Sequence, residues 1–192
     1  MLATLLVARG ATRTIDLAFT AAVQSAPSFP LDLLANVNTL FGQATVTSAI
    51  AVLLAIAAWR REPRWAWLAA GLFVIAAGAG VAMKLLLVHA PPSPEYVRAW
   101  WNPLGVEVST PSGFPSGHIA RVTFLALFAV GLARSTVIRV ALLLLIIVTF
   151  WARIYIGDHW LSDAIGGLAL GAATGCAALW WLARCRAYAR LQ

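Results

Sequence analysis

Long apolar runs, each ended by a short polar turn, constrain this chain more than any other feature. They occupy residues 45–59, 65–88, 117–133, 136–156 and 161–183, with Leu40 and Phe41 extending the first run upstream. Crossing the hydrocarbon core of a bilayer takes about 20 apolar residues in a helix. Lipid offers no partner to a free backbone N–H or C=O, so each run is expected to be helical. Only 11% of the residues are charged, against about 25% in a soluble domain. A soluble helical protein is excluded for want of polar surface. The fold class expected is all-α, an integral membrane helical bundle with five transmembrane helices.

The N-terminal residues 1–37 read differently. Arg9, Arg13 and Asp16 interrupt the apolar character, residues 15–23 show helical spacing, and Pro30 opens a second short helix through Leu40. No cleavage site follows a long apolar core, so a signal peptide is not favoured. This segment is expected as interfacial helices, with a sixth span as the alternative, followed by one membrane domain over residues 38–192. Gly167, Gly171 and Gly175 recur every four positions in the last run, and Gly71, Gly78 and Gly80 dot the second. Both sets suit close helix packing.

The net charge of +7 does not point to nucleic acid. Lys84 is the only lysine, and the arginines punctuate apolar runs instead of forming a patch. Arg60, Arg61, Arg64, Arg134, Arg139, Arg184, Arg186 and Arg190 fall on one side of the alternating spans. The proline-rich loop 90–115 and the turn at Asp158 fall on the other. By the positive-inside rule the arginine side is cytoplasmic. The loop and its neighbouring motifs then face the periplasm or cell exterior, in what reads as the inner membrane of a bacterium. Cys176 and Cys185, nine apart and without a CxxC pattern, read as packing residues and not as a metal site or a disulfide.

The chemistry gathers at the ends of the span pair between Pro115 and Asp163. Lys84, Arg121, Arg153 and Asp163 lie in or at the ends of apolar runs, where an unpaired charge costs about 2.5–3.5 kcal/mol at mid-bilayer. Their grouping argues for a polar cavity over scattered ion pairs. Pro115-Ser116-Gly117-His118 stands at a helix start, whose outward N–H groups receive anions, and Gly117 lets a ligand approach the backbone. Ser116 adds a hydroxyl, and His118 on the first turn can give a proton to a departing oxygen. His159 and Asp163, four apart, share one helix face. The carboxylate can take one imidazole proton and leave the other nitrogen free to attack. Arg153 supplies a planar fork that suits phosphate oxygens. His89 reads as an interfacial histidine. Together these residues favour phosphoryl transfer.

The Pro115–His118 tetrad and the Arg153, His159 and Asp163 spacing resemble the second and third signature motifs of the type 2 phosphatidic acid phosphatase (PAP2) family. That family shares its active-site design with vanadium haloperoxidases. Its first signature, Lys, six residues, then Arg-Pro, corresponds here to Lys84 and Pro91-Pro92, with Pro91 in place of the Arg. The Ser that precedes the third-motif Arg is Ala152. The resemblance spans residues 38–183. It implies a metal-independent, cofactor-free lipid phosphate phosphatase in which His159 attacks phosphorus, Asp163 holds its ring and His118 protonates the leaving oxygen. Lys84, Ser116, Gly117 and Arg153 would bind phosphate, with Arg121 one turn after His118 in place of the missing Arg. The implied partners are a lipid phosphate substrate and membrane lipids, not nucleic acid; a homo-oligomer is left open. Phosphatidate, phosphatidylglycerophosphate and undecaprenyl diphosphate are the substrate types implied. Alternatives are a lipid phosphotransferase on the same site, a non-catalytic lipid-binding member, and a transporter, against which the lack of an internal repeat speaks. A haloperoxidase is excluded because those relatives are soluble.

The arginine distribution makes a direct expectation. After removal of Cys176 and Cys185, a cysteine placed within residues 93–101 should react with a membrane-impermeant thiol reagent in intact cells or spheroplasts. Labelling only after lysis overturns the orientation.

Overall fold

A computed structural model describes residues 7, 10–98 and 112–189, with side chains to residue 185. Among the described residues the fold is all-helical: α1 Arg13–Val23, α2 Phe29–Gly42, α3 Ala44–Trp59, α4 Pro63–Leu86, a 3-10 turn Pro94–Tyr96, α5 Gly117–Leu132, α6 Thr136–Tyr155 and α7 Leu161–Ala189.

Most helices turn large apolar side chains outward, while α5 buries Ile119, Phe124, Leu125 and Phe128 inside the bundle. On α2, Phe29, Leu33, Leu34 and Phe41 are exposed while Asn36, Asn38 and Thr39 are buried. On α6, Val137, Leu144 and Ile147 are exposed and Arg153 is buried. In water this pattern would be unstable, but in lipid it is the expected arrangement, because tails solvate the outer face and polar groups must find partners inside. Together with the long apolar helices, it makes the chain a membrane protein.

By length and composition, three helices can cross a membrane: α4, α6 and α7 over Leu161–Cys185. A fourth crossing results if α2 and α3, bent by 56° at their junction, count as one broken span. The five spans expected thus meet two departures. The run at residues 45–59 joins the upstream helix through the bend, and α5, though apolar, has only 16 residues. At 1.5 Å per residue α5 is about 24 Å long, short of a core about 30 Å thick.

The boundary drawn between residues 37 and 38 lies inside α2, which packs on α5 and α6. Helix α1 docks on α6 and α7 through buried Asp16 and Thr20 and turns Ile15 and Phe19 outward.

At one end of the bundle lies an apolar core of Ala58, Ala69, Phe124, Phe128, Ala178 and Leu182. Phe124 stacks on Phe128 and tilts against Phe73. At this end Arg61 donates to the carbonyl of Leu132 at 2.7 Å and Arg139 to that of Ala133 at 2.8 Å. These arginines satisfy the last carbonyls of α5 and oppose the negative end of its dipole. The polar residues of the two motifs gather at the opposite end.

The most extensive helix pair is α5 with α7, and its glycines explain why. A Cβ on Gly171 would lie 2.5 Å from the Ala120 carbonyl oxygen and 2.7 Å from Thr123 Cβ. On Gly167 it would meet the Ser116 carbonyl, and on Gly175 it would stand 2.7 Å from Leu127 Cδ1. The α4 glycines do not share this role. Gly71 and Gly78 face open space, and Gly80 meets only Leu170, at 3.7 Å. Cys176 is exposed and Cys185 partly so, which corrects their reading as packing residues.

Gly171→Ala should therefore destabilise the purified protein in detergent by about 1–3 kcal/mol, the scale of overpacking, seen as a lowered Tm. Gly78→Ala should leave Tm unchanged. Equal Tm values would overturn the assignment of the tight face.

Candidate active site

The two motifs meet through backbone and side chain. The Ser116 N–H donates to the Asp163 carbonyl at 3.0 Å, joining the start of α5 to the first turn of α7. Ser116 caps α5, its Oγ accepting weakly from the Ile119 N–H at 3.5 Å. That leaves the hydroxyl proton available to donate.

Asp163 is completely buried. Its Oδ2 accepts from the Trp160 N–H at 3.0 Å and stands 3.5 Å from His159 Nδ1. Gly113 presses against the carboxylate, since a Cβ there would lie 2.7 Å from Oδ2. His159 lies in the turn just before α7 and not on its helical face, and from there its Nδ1 faces Asp163 Oδ2.

The turn from α6 to α7 sets the position of His159. The Arg153 carbonyl accepts the N–H groups of both Asp158 and His159, each at 3.2 Å. Gly157 has φ +76°, and a Cβ there would collide with the Tyr96 carbonyl. Only glycine combines that left-handed backbone with such an approach. Around this turn Arg98 forms a bidentate pair with Asp32 at 3.0 Å and lies over the Tyr155 ring, while Tyr155 Oη donates to Asp32 at 2.9 Å. Gln24 donates to the carbonyls of Tyr96 and Tyr155 at 2.8 and 2.9 Å. These bonds fasten the segment after α4 to α1, α2 and α6.

The cations surround His118. It is buried on the first turn of α5 against Gly42, and Arg153, Arg121, His159 and Lys84 all lie within electrostatic range of it. Arg153 is 2% exposed; it pairs with Asp158 at 2.7 Å and donates to Thr39 Oγ1 at 3.3 Å. Its Nε is buried and makes no hydrogen bond among the described residues. Lys84, in the last turn of α4, donates to the Ser112 carbonyl at 3.2 Å. Arg121 folds back towards the start of its own helix. Its Nη2 donates to the Gly42 carbonyl at 2.7 Å, and a Cβ on Gly117 would lie 2.9 Å from Nη1. The space left by Gly117, expected to admit a ligand, is thus occupied by the Arg121 guanidinium.

A groove leads away from these cations. Ala76, Gly80 and Val81 of α4, Ala120 of α5 and Leu170 of α7 line it, and Lys84, Gly117 and Arg121 stand in its wall. Among the described residues no group of three or more His, Cys, Asp or Glu side chains is placed to hold a metal ion.

The structure adds residues that the motifs did not announce. Asp158 pairs with Arg153, Thr39 reaches Arg153, His89 stands 3.5 Å from Asp163, and Asp16 binds Ser162. Asp16 carried a usable signal: a lone carboxylate in an apolar helical segment requires a buried partner.

Comparison with known proteins finds relatives of this chain. The PAP2 superfamily model matches residues 87–187. Decaprenylphosphoryl-5-phosphoribose phosphatase from Mycobacterium tuberculosis, strains CDC 1551 / Oshkosh and H37Rv, is 34% identical over 165 residues, covering 83% of this chain and 86% of the relative. The crystal structure of the PAP2 type phosphatidylglycerolphosphate phosphatase from Bacillus subtilis superposes with a TM-score of 0.76 at 17% identity, covering 94% of this chain and 92% of that one. Aquifex aeolicus LpxE gives 0.66 at 18% identity, with 85% and 93% covered. The protein is a membrane-embedded phosphatase. It belongs to the PAP2 superfamily.

Proposed function

We propose that this chain hydrolyses a phosphate ester or diphosphate carried by a lipid, through a phosphohistidine formed on His159. The observation that carries the reading is the buried His159–Asp163 pair set among His118, Arg153, Lys84 and Arg121. Asp163 holds the Nδ1–H of His159 as an acceptor, which leaves the Nε2 lone pair to attack phosphorus. As the P–O bond to the lipid breaks, His118 transfers a proton to the departing oxygen. It then accepts a proton from the water that releases phosphate from His159. Arg153, Lys84, Arg121, the Ser116 hydroxyl and the Gly117 backbone hold the phosphoryl oxygens as charge builds on them.

The groove supports a lipid substrate, because its small apolar lining suits a chain lying beside α4 while the head reaches Lys84 and Arg121. The mycobacterial relative is named for a polyprenyl-linked phosphosugar and the Bacillus neighbour for a phosphatidylglycerol phosphate. Both classes belong in the test, beside phosphatidate and undecaprenyl diphosphate. In this reading α5 also crosses the membrane and, with the bent pair counted as one, completes five spans. The site then faces away from the cytoplasm, opposite the end where Arg61 and Arg139 cap α5.

Purified protein in detergent should release phosphate from at least one of these lipids, with and without a chelator, and His159→Ala should abolish the release. His118→Ala should lose less on an activated aryl phosphate than on a lipid phosphate, since a good leaving group needs little protonation. Equal losses on both substrates would reverse the assignment of nucleophile and acid.

In this reading Arg121, whose guanidinium sits beside the helix start at Gly117, serves in place of the family arginine. Arg121→Ala should reduce kcat/KM by an amount equivalent to about 2–4 kcal/mol, the scale of one preorganised donor. Retention of kcat/KM within about threefold, as for loss of an exposed pair, would remove it from the phosphate site.

A further inference from the structure

The Asp163 carboxylate has a second side. Its Oδ1 is buried and makes no hydrogen bond among the described residues. Facing it at 3.5 Å is His89 Nε2, a side chain 13% exposed. A buried carboxylate needs hydrogen bonds to both oxygens to offset its lost hydration. Trp160 and His159 serve Oδ2, which leaves Oδ1 to His89.

The neighbouring bonds determine which way the His89 proton points. Asp16, on α1 and 2% exposed, accepts from the Ser162 N–H at 2.8 Å and from the Ser162 hydroxyl at 2.9 Å. A carboxylate only accepts, so the Ser162 proton is committed to Asp16 and its oxygen lone pairs turn elsewhere. His89 Nε2 lies 3.4 Å from that oxygen. Both atoms facing Nε2, Ser162 Oγ and Asp163 Oδ1, are therefore acceptors, and Nε2 must carry the proton. The His89 backbone is held as well, its carbonyl accepting the Gly113 N–H at 2.8 Å.

We infer that His89 is a positioning residue for the phosphatase reaction: oriented through Ser162 by Asp16, it donates from Nε2 to Asp163 and so holds the carboxylate that aims His159. The N-terminal helix α1 is then part of the catalytic apparatus without touching substrate. The inference rests on the proposed role of His159, and it follows from no sequence motif, since His89 is one of the six unspecified residues between Lys84 and Pro91.

Orthovanadate tests it without turnover, because its five-coordinate form takes the place of phosphorus and bonds to the attacking nitrogen. Parent, His89→Ala and His89→Gln are compared by vanadium NMR titration in detergent, and by kcat and KM on whichever lipid phosphate the parent hydrolyses. His89→Ala should weaken vanadate binding and lower kcat by about ten- to a hundredfold, the scale for a hydrogen bond to a charged group, with KM within about threefold of the parent. His89→Gln, which keeps an N–H donor, should restore both to within about fivefold. Unchanged vanadate affinity in His89→Ala, or equal losses in the two variants, overturns the inference. Should His89→Ala not fold, His89→Gln decides: near-parent affinity supports the donor role, and a loss beyond about tenfold overturns it. A parent that binds vanadate but hydrolyses no lipid phosphate overturns the proposed function, and the vanadate comparison still judges His89. A parent that binds no vanadate overturns both.

Discussion

The site end of this bundle depends on one desolvated carboxylate. Removing an ionised carboxyl group from water costs several kcal/mol unless donors surround it, and Asp163 is fully buried. Its surroundings come from separate parts of the chain: the Trp160 N–H, the rings of His159 and His89, and the Gly113 backbone. The carbonyl of the same residue receives the Ser116 N–H. Satisfying Asp163 therefore brings together the start of α5, the start of α7 and the stretches on either side of residues 99–111. Fold and site meet in one electrostatic requirement.

The same requirement explains the outward apolar faces. In lipid, outer side chains gain little by turning inward, so the arrangement is decided by which polar groups must be enclosed. Thr39 and the Gly42 carbonyl at the end of α2 supply partners for Arg153 and Arg121. Helix α2 bends away from α3 just beyond them, at Gln43. A break in a membrane helix frees backbone groups that need new partners, and here the Gly42 carbonyl meets a guanidinium.

What could be read from sequence follows from the range of each interaction. The apolar runs and the His159–Asp163 spacing are local, and the structure keeps them. The Arg153–Asp158 pair is also local but was hidden, because an aspartate beside a glycine reads first as a turn. Asp16 and Ser162 lie 146 residues apart, and neither belongs to a motif, so nothing nearby announces their bond. Nor does glycine spacing say what each glycine faces. The α7 set lies against α5, while Gly71 and Gly78 of α4 look into open space. The five-span expectation rested on apolar length, which does not record the bend at Gln43, and it counted the 117–133 run although the helix there is only 16 residues long.

The contrast between these two glycine sets has a bearing on how such a chain can diversify. Helices α5 and α7 are locked in register by backbone contacts; α5 carries His118, α7 carries Asp163, and His159 stands in the turn that leads into α7. Helix α4 contributes Lys84 at its end and lines the groove with Ala76, Ala77, Gly80 and Val81, of which Gly80 meets only Leu170. Under the proposed function, bulk added along the groove side of α4 would reshape the berth for a lipid tail and leave the spacing of the reacting groups untouched. Selection for a new lipid can act on α4 while α5 and α7 stay under constraint. Substrate preference and chemical competence are thereby heritable on different helices.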